Sequence, residues 1–281
     1  MRVIRDNQRP DMPRRSCVLV PTMGALHEGH LDLIRRAASE ADARGLKNGA
    51  AVSVFVNPTQ FNDPADYERY ARVLDDDIAG CESAGASIVF APSVELVYPT
   101  EDPTPVPPLP PQAIDKGLED AHRPMHFEGV CQVVRRLFDL VRPAAAVFGE
   151  KDWQQLVTVR AMSQRDDLGV EIINGPTARE PDGLAMSSRN RFLPPEQRER
   201  ALSLSRAIAA AQRETTPTDG EAAMRAVYAE HEIEPDYAAI RDAETLGPFR
   251  QGRPGRAITA AGIPGETTVV RLLDNAPWPI A

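Results

Sequence analysis

The sequence predicts an α/β fold in which a doubly wound parallel sheet is followed by a smaller α+β C-terminal domain. Up to about residue 175, short apolar runs bounded by turn residues alternate with segments of helical period, which is typical of a parallel sheet covered by helices. After Asn174-Gly175-Pro176 the order changes to helices followed by strands. We therefore predict two domains, residues 1–175 and residues 176–281.

Five runs in the first domain are predicted to be strands because each is short and rich in β-branched residues or alanine. They are residues 17–21, 51–56, 87–91, 144–148 and 170–173. Helical periodicity predicts the intervening helices at residues 29–44, 66–84, 127–141 and 152–166. In the second domain we predict helices at residues 195–213 and 219–231, and strands at residues 236–241, 256–261 and 267–272.

A proline-rich segment lies between the third and fourth predicted strands. Residues 99–111 contain seven prolines, which excludes a helix interior and a central strand. We predict an extended surface connection, which is either a plain spacer or a flap or oligomer contact.

The overall charge argues against two classes of binding protein. The chain has 41 Asp and Glu against 32 Lys and Arg, a formal net charge of −9 and a pI near 5.2. A protein that wraps nucleic acid and a protein that binds an anionic membrane both need a positive electrostatic potential at their surface, so neither is expected. The three cysteines have irregular spacing, and no apolar run has the length of a signal peptide or membrane span. These features predict a cytoplasmic protein.

The first predicted strand runs into a segment with two histidines, Pro21-Thr22-Met23-Gly24-Ala25-Leu26-His27-Glu28-Gly29-His30. In a parallel sheet, this strand end faces the ligand crevice, and the next helix presents its first N–H groups to anions. His27 and His30 are three residues apart and share one helix face, where both rings can donate to the same phosphate. A zinc pair and two incidental histidines are the alternatives, although zinc needs further ligands.

The second predicted strand ends in Asn57-Pro58-Thr59-Gln60, which places amide side chains at the same sheet edge. Amides bind hydroxyl and carboxylate groups without adding charge, which suits a small substrate with several functional groups. Asn-Pro is also an ordinary start of a turn, so a structural role is the alternative.

The acidic run Asp75-Asp76-Asp77 falls inside a predicted helix, where three adjacent carboxylates repel one another. One interpretation is a set of ligands for a Mg²⁺ ion carried by nucleotide phosphates. The other is a solvated helix face.

Lys151 is one of three lysines in the chain, and it follows the fourth predicted strand in Phe148-Gly149-Glu150-Lys151-Asp152. At this strand end a mobile ammonium group can bridge nucleotide phosphates, and Asp152 can accept from ribose hydroxyls. Gln155 would project from the first turn of the next helix toward the same crevice. The alternatives are a surface charge at Lys151 and a helix N-cap at Asp152.

A polar loop between the two predicted domains contains Ser187, Ser188 and Arg189. Two hydroxyls followed by a guanidinium can donate to phosphate oxygens, and a loop at a hinge can close over a nucleotide. An ordinary surface loop is the alternative.

Taken together, these segments resemble a known enzyme family. PTMGALHEGH is similar to the His-x-x-His signature of the nucleotidyltransferase superfamily, and LAMSSRN resembles its second, Lys-Met-Ser-Lys-Ser-type signature. With VNPTQF, DDD, RPMHFEGV, FGEKDWQQL and REPDGLAMSSRN in this order, the chain resembles the pantothenate synthetase (pantoate–β-alanine ligase) family from about residue 17 to RLLDN near the C-terminus. The resemblance implies a Rossmann-like first domain and a C-terminal domain that closes over the active site.

The resemblance also predicts the activity of this chain. The resemblance implies an ATP-dependent ligase that condenses pantoate with β-alanine through a pantoyl adenylate, releasing pyrophosphate and then AMP. It implies Mg²⁺ as the metal and a homodimer as the assembly, with small molecules as partners and neither nucleic acid nor membrane.

The resemblance also assigns residues to roles. Catalytic roles fall on His27, His30 and Lys151. The residues expected to bind ATP are Met23, Gly24, Ala25, Leu26, His27, Glu28, Gly29, His30, Gly149, Glu150, Lys151, Asp152, Ala178, Met186, Ser187, Ser188 and Arg189. Those expected to bind pantoate and β-alanine are Pro21, Met23, Asn57, Gln60 and Gln155, and those expected to bind Mg²⁺ are Asp76 and Asp77. Gly80 stands where the family usually has a polar residue one helical turn after the acidic run.

Two other functions share part of this pattern. A cytidylyl- or adenylyltransferase has the same histidine signature but needs no amine site. A nucleotide-sensing or tRNA-binding module of the same superfamily is disfavoured by Lys151, by both histidines and by the acidic net charge.

Overall fold

The computed structural model describes residues 1–61, 64–265 and 268–279. The chain forms two compact units. Unit 1 consists of Met1–Ile114, Arg123–Gly149 and Thr158–Pro176, and unit 2 of Asp115–His122, Glu150–Val157 and Thr177–Ala281. Two short segments of unit 2 therefore interrupt unit 1 along the chain. The domain boundary predicted between residues 175 and 176 stays a prediction.

The strands of the described residues are β1 (Arg2–Asp6), β2 (Val18–Thr22), β3 (Ala50–Val54), β4 (Ala86–Pro92), β5 (Ala145–Gly149), β6 (Glu171–Gly175), β7 (Pro235–Asp242), β8 (Gly255–Pro264) and β9 (Val269–Trp278). The α-helices are α1 (Glu28–Ala43), α2 (Pro64–Arg69), α3 (Leu74–Ser83), α4 (Val94–Val97), α5 (Glu119–His122), α6 (His126–Val141), α7 (Trp153–Arg165), α8 (Pro195–Ala201), α9 (Ser203–Ala211) and α10 (Pro217–Glu230). Short 3₁₀ turns span Pro58–Gln60, Pro111–Ala113, Glu150–Asp152 and Asn190–Phe192.

Six parallel strands form the sheet of unit 1 in the order β1-β4-β3-β2-β5-β6. From β2 the chain proceeds through β3 to β4, and it then crosses to the other side of β2 for β5 and β6. Val18, Leu19 and Val20 in β2 are fully buried, as expected for a central strand covered on both faces. This arrangement confirms the predicted doubly wound parallel sheet, whose order reverses between β2 and β5.

The edge strand β1 is absent from the sequence-based prediction. It pairs with β4 in parallel, with Ile4 opposite Phe90. Its sequence, RVIRD, mixes charged and apolar residues, and Ile4 is the one residue of the strand that is buried. Such a segment lacks the apolar run by which the other strands of the sheet can be recognised.

The single helix predicted at residues 66–84 is wrong, because α2 and α3 are separate helices there. Next to the end of α2, the Arg72 guanidinium donates hydrogen bonds of 3.2–3.3 Å to three main-chain carbonyl oxygens, those of Tyr67, Glu68 and Tyr70. The last carbonyl groups of a helix have no partner within the helix, so this side chain caps the C-terminal end of α2.

The acidic run Asp75–Asp77 lies in the first turn of α3, not in a helix interior as predicted. The positive end of the helix dipole favours carboxylates in that turn. The Asp75 side chain is exposed, whereas Asp77 is buried. The three carboxylates therefore have different surroundings.

Unit 2 contains an antiparallel sheet with the strand order β7-β8-β9, against which α9 and α10 pack. Its core includes Ile208, Met224, Tyr228, Ile240 and Trp278. The helix predicted at residues 195–213 is wrong as a single element, since α8 and α9 meet at Leu202. The last predicted strand is extended by the structure to Trp278, and its first predicted residue, 267, lies outside the described residues.

The proline-rich connection at residues 99–110 contains neither helix nor strand, and a 3₁₀ turn begins at Pro111, as the proline content predicts. No helix among residues 1–61, 64–265 and 268–279 is long and apolar enough to cross a bilayer.

Candidate active site

The loop between β2 and α1 is a tight turn held by a buried carboxylate. Gly24 and Ala25 have φ angles of +79° and +50°, so two consecutive residues adopt the left-handed conformation. The Ala25 N–H donates to Asp77 Oδ2 at 3.1 Å, and the Leu26 N–H donates to Asp77 Oδ1 at 2.8 Å. A Cβ atom at residue 24 would stand 2.7 Å from Asp77 Oδ2, so the close approach also requires glycine.

Burial of Asp77 raises the pKa of its carboxyl group, and the two backbone N–H donors oppose that rise in part. Both carboxylate oxygens face main-chain donors of the β2–α1 loop. Asp77 thus fixes the segment that leads to the two histidines, a role that the charge pattern of the sequence does not reveal. Its role as a Mg²⁺ ligand stays a prediction.

His27 and His30 lie side by side at the start of α1. Their ring centroids are 4.1 Å apart, and both side chains are half-buried. The backbone N–H of His27 donates to His30 Nδ1 at 3.3 Å. Nδ1 is therefore an acceptor, and a neutral His30 ring carries its proton on Nε2. The structure therefore brings the two predicted histidines together and orients one of them through the backbone of the other.

The amide side chains after β3 form a second group in unit 1. Asn57 is buried, and its Nδ2 donates at 3.1 Å both to Gln60 Oε1 and to the carbonyl oxygen of Gly129. Gln60 Nε2 in turn donates to Met23 Sδ at 3.0 Å. Three residues predicted to bind the organic substrate, Met23, Asn57 and Gln60, are thus in direct contact.

Tyr98 completes this group, and sequence reasoning missed it. Its hydroxyl donates to Asn57 Oδ1 at 2.7 Å. Burial raises the pKa of Tyr98 to about 12, so the hydroxyl keeps its proton at neutral pH. Gly129 was likewise assigned no role, although it lies within the RPMHFEGV segment that contributes to the family resemblance.

Lys151 lies in unit 2, in the 3₁₀ turn Glu150–Asp152 that follows Gly149, the last residue of β5. Its Nζ is 3.9 Å from Asp152 Oδ2, and about a fifth of the Lys151 side chain is exposed (21%). Gln155 is half-buried in the first turn of α7.

The neighbouring Gln154 has a different role from Gln155. Gln154 is buried, accepts the Glu119 N–H at 2.8 Å and donates to Asp120 Oδ1 at 3.0 Å. These bonds connect α7 to the segment around α5 within unit 2. Gln154 is therefore structural, and Gln155 stays the candidate for substrate binding.

The serine loop of unit 2 follows a short hairpin. Arg179 and Ala185 form an antiparallel bridge, and the Met186 N–H donates to the Ala178 carbonyl oxygen at 2.9 Å. Beyond the hairpin, Ser187 Oγ accepts the Arg189 N–H at 3.2 Å. Ser187 and Ser188 are half-buried and Arg189 is exposed, so the loop presents two hydroxyls and a guanidinium in sequence.

The sheet order accounts for the placement of the unit 1 groups. β2 is flanked by β3 and β5, so the loops after these three parallel strands leave the same edge of the sheet. That edge, where the strand order reverses, is the place at which doubly wound sheets bind ligands. The fold and the histidine pair define an α/β protein of the nucleotidyltransferase type.

Comparisons with known proteins identify the family. The family model for pantoate-beta-alanine ligase matches residues 1–277. The pantothenate synthetase of Nocardioides sp. is 48% identical over 266 residues, which cover 92% of this chain and 78% of the relative. The chain belongs to the pantoate–β-alanine ligase family.

Solved structures agree with this assignment. The crystal structure of pantothenate synthetase from Thermus thermophilus has a TM-score of 0.86 and 41% identity, with 99% of this chain and 100% of that chain covered. The pantoate-beta-alanine ligase from Francisella tularensis, crystallised with beta-gamma ATP and beta-alanine, has a TM-score of 0.76 and 29% identity over 99% of this chain and 97% of that one.

Proposed function

We propose that this chain condenses pantoate with β-alanine in an ATP-dependent reaction, forming pantothenate, AMP and pyrophosphate. The observation that carries the proposal is the His27–His30 pair, held at the start of α1 in a chain that the family model matches over residues 1–277. A ligase of this kind forms an amide bond in two steps, and its product, pantothenate, is used in the biosynthesis of coenzyme A.

In the first step, a carboxylate oxygen of pantoate attacks the α-phosphorus of ATP. A bond forms between that oxygen and phosphorus, the bond to the β-phosphate oxygen breaks, and pyrophosphate leaves. Pantoate is already ionised, so this step needs positioning and distributed positive charge more than a base. His27, His30 and Lys151 are proposed to stabilise charge on the phosphates, with His30 donating from Nε2.

In the second step, the amine of β-alanine attacks the acyl carbon of pantoyl adenylate. The amide bond forms, AMP leaves and the amine loses a proton. The adenylate must be kept from water until the amine arrives.

The remaining site residues are assigned by motif. Gln60 and Gln155 would bind pantoate, supported by Pro21, Met23 and Asn57. Gly149 and Asp152 would contact the ribose, and Ser187, Ser188 and Arg189 would bind phosphate oxygens. The backbone between Met23 and His30, together with Glu150, Ala178 and Met186, completes the ATP-binding set.

Mg²⁺ enters the proposal as an ion bound mainly to phosphates. Within the part of the chain that the structure describes, no three His, Cys, Asp or Glu side chains are grouped to hold a metal ion. An ion of this type uses one or two protein carboxylates and takes its other ligands from phosphate and water. Asp76, which is exposed, and Asp77 fit that number. The ion would neutralise charge on the leaving pyrophosphate.

We also propose a homodimer in the cytoplasm. The dimer rests on the family resemblance, and sedimentation velocity of the purified chain tests it. The location is supported by three buried free thiols, Cys17, Cys81 and Cys131, which suit a reducing compartment. Fractionation of cells that produce the full chain tests the location.

The activity is tested by following AMP and pyrophosphate with each substrate omitted in turn. Pyrophosphate exchange into ATP should require pantoate alone, and AMP release at catalytic turnover should require β-alanine as well. If CTP replaces ATP and β-alanine has no effect, the chain is a nucleotidyltransferase that releases a nucleotide-linked product, and the proposed ligase reaction is wrong.

A further inference from the structure

β9 carries two adjacent buried polar side chains, Asp274 and Asn275, that lie far along the sequence from the residues to which a function is assigned. They are 1% and 2% exposed. Buried polar groups are costly unless they are hydrogen-bonded, so their partners indicate what they do. Each side chain binds a different loop of unit 2, and both loops belong to the proposed ATP-binding set.

Asn275 holds the turn that contains Lys151. Its Nδ2 donates to the carbonyl oxygen of Glu150 at 3.0 Å and to that of Lys151 at 2.7 Å. Its Oδ1 accepts the Nε–H of Arg256 at 2.7 Å. Both ends of the amide are therefore engaged, which fixes its orientation and, through it, the backbone of the turn.

Arg256 extends this support to the start of α7. Its Nη2 donates to Glu150 Oε2 at 3.0 Å, and its Cζ lies 3.6 Å from the centroid of the Trp153 ring. Trp153 Nε1 donates to the Ala243 carbonyl oxygen at 2.8 Å. Glu150 and Trp153, which flank Lys151 and Asp152, are thus both held by other residues of unit 2.

Asp274 holds the hairpin that leads to the serine loop. Its two carboxylate oxygens accept Nη1 and Nη2 of Arg179 at 2.8 and 2.9 Å, a two-point ion pair that raises the pKa of Arg179. Arg179 Nη1 also donates to the Gly183 carbonyl oxygen at 3.0 Å, across the same hairpin. The ion pair therefore fixes both arms of the hairpin relative to β9.

We propose that Asp274 and Asn275 are positioning residues for ATP activation, one for each phosphate-binding loop. Successive side chains of a strand point to opposite faces, so a single dipeptide of β9 can reach two loops. This inference rests on the proposed function, because it takes Lys151 and Ser187–Arg189 as phosphate-binding groups. Neither residue is expected to touch a substrate.

The test compares Asn275→Asp and Asp274→Asn with Tyr228→Phe in the full-length protein. Asn275→Asp keeps the acceptor for Arg256 but replaces two donors with a carboxylate facing two carbonyl oxygens. Asp274→Asn removes the charge that pairs with Arg179. Tyr228→Phe is the control, because it removes a buried 2.7 Å hydrogen bond to Thr259 in the same sheet without touching either loop.

Two readouts are measured on each folded variant: amide hydrogen exchange and pantoate-dependent exchange of pyrophosphate into ATP. Asn275→Asp should speed amide exchange at residues 150–155 and leave residues 178–189 unchanged, and Asp274→Asn should do the reverse. Each should slow pyrophosphate exchange by about 10- to 100-fold, because small misplacements of catalytic groups have effects of that size. Tyr228→Phe should lower Tm without changing either readout.

The outcomes separate the two proposals. If wild-type protein shows no pantoate-dependent exchange, the proposed function is wrong, and amide exchange still decides whether the two residues hold the loops. If wild type is active and both variants keep protection and activity within twofold of Tyr228→Phe, the positioning role is wrong. If Asn275→Asp does not fold, Asn275→Ser replaces it in the same comparison.

Discussion

Gly129 of α6 lies so close to Thr59 that a Cβ atom at residue 129 would stand 2.6 Å from the Thr59 carbonyl oxygen. The same atom would stand 2.8 Å from the Gln60 backbone nitrogen. The Gly129 carbonyl oxygen also accepts a hydrogen bond from Asn57. The start of α6 therefore packs directly against the main chain of the turn at residues 57–60. Only glycine at residue 129 allows this close approach.

Gly129→Ala should raise the KM for pantoate by about 10- to 100-fold, since the added methyl group must displace the turn that carries Gln60. Steady-state kinetics with pantoate as the varied substrate measure the effect. Gly247→Ala is the matched control, because a Cβ atom there would make an ordinary 3.5 Å contact with Thr245. Equal kinetic constants in the two variants would contradict the role given to Gly129.

His30→Ala and Lys151→Ala should each slow adenylate formation by about 10²–10³-fold, the usual cost of removing a transition-state donor. Pyrophosphate exchange measures this step, and circular dichroism checks that the fold is kept. Lys47→Ala is the control for the loss of a lysine, because Lys47 is exposed and belongs to none of the motifs. If both variants exchange pyrophosphate into ATP at the wild-type rate, the roles proposed for His30 and Lys151 are wrong.

The central strands of unit 1 could be recognised because each is a short apolar run, and the parallel order then placed the polar residues after β2 and β3 at one edge of the sheet. β1 could not be recognised by that rule, since Arg2 and Asp6 give it the composition of a surface segment. The break between α2 and α3 coincides with carbonyl oxygens that accept hydrogen bonds from the Arg72 side chain, and helical periodicity does not predict such a contact.

The same distinction holds for the candidate site. His27, His30, Asn57 and Gln60 follow strands directly, so their placement depends on local sequence. Asp77 accepts from Ala25 across 52 residues of sequence, and Asn275 accepts from and donates to residues on two other elements. Contacts of this kind form only when the whole fold is assembled. The charge pattern therefore left a metal ligand and a solvated helix face as alternatives for Asp77, the family resemblance implied metal binding, and nothing in the sequence indicated a role for Asn275.

Asp77→Asn should destabilise the protein by about 1–3 kcal/mol, because the amide can accept only one of the two backbone N–H groups and places its NH₂ against the other. Urea unfolding measures the change in free energy. Asp75→Asn is the matched control in the same helical turn, since the Asp75 side chain is 94% exposed.

The dependence on Mg²⁺ separates the two roles considered for Asp77. If the residue holds the β2–α1 loop, Asp77→Asn should lose stability at every Mg²⁺ concentration, including zero. An unchanged free energy of unfolding combined with a raised Mg²⁺ requirement would instead identify Asp77 as a metal ligand, and the loop-anchoring role would be wrong.

Asp242 should make the free energy of unfolding depend on pH in the acid range. Its side chain is buried at the end of β7, and its Oδ1 accepts from the Glu244 N–H at 3.1 Å, the Thr245 N–H at 2.8 Å and Thr245 Oγ1 at 3.0 Å. Burial alone would raise the pKa of Asp242, but the hydrogen bonds from Thr245 and Glu244, together with the positive charge of Arg253, whose Nε lies 2.5 Å from Asp242 Oδ2, outweigh it and hold the pKa below the usual value of 3.8. The ionised form is therefore favoured by folding.

Because the pKa of Asp242 is lower in the folded than in the unfolded protein, the unfolded chain takes up the proton first as the pH falls. The stability that this carboxylate contributes is present above pH 3.8, and it is lost as the pH falls through the folded pKa below that value. Asp242→Asn keeps an oxygen for the same three donors and cannot titrate, and it also loses the ion pair with Arg253. The difference in free energy of unfolding between wild type and Asp242→Asn, measured in urea at a series of pH values, should be constant from pH 7 to about 5 and shrink as the pH falls toward 3. A difference that stays constant across the whole series would show that the hydrogen bonds and the Arg253 ion pair do not favour the ionised form of Asp242.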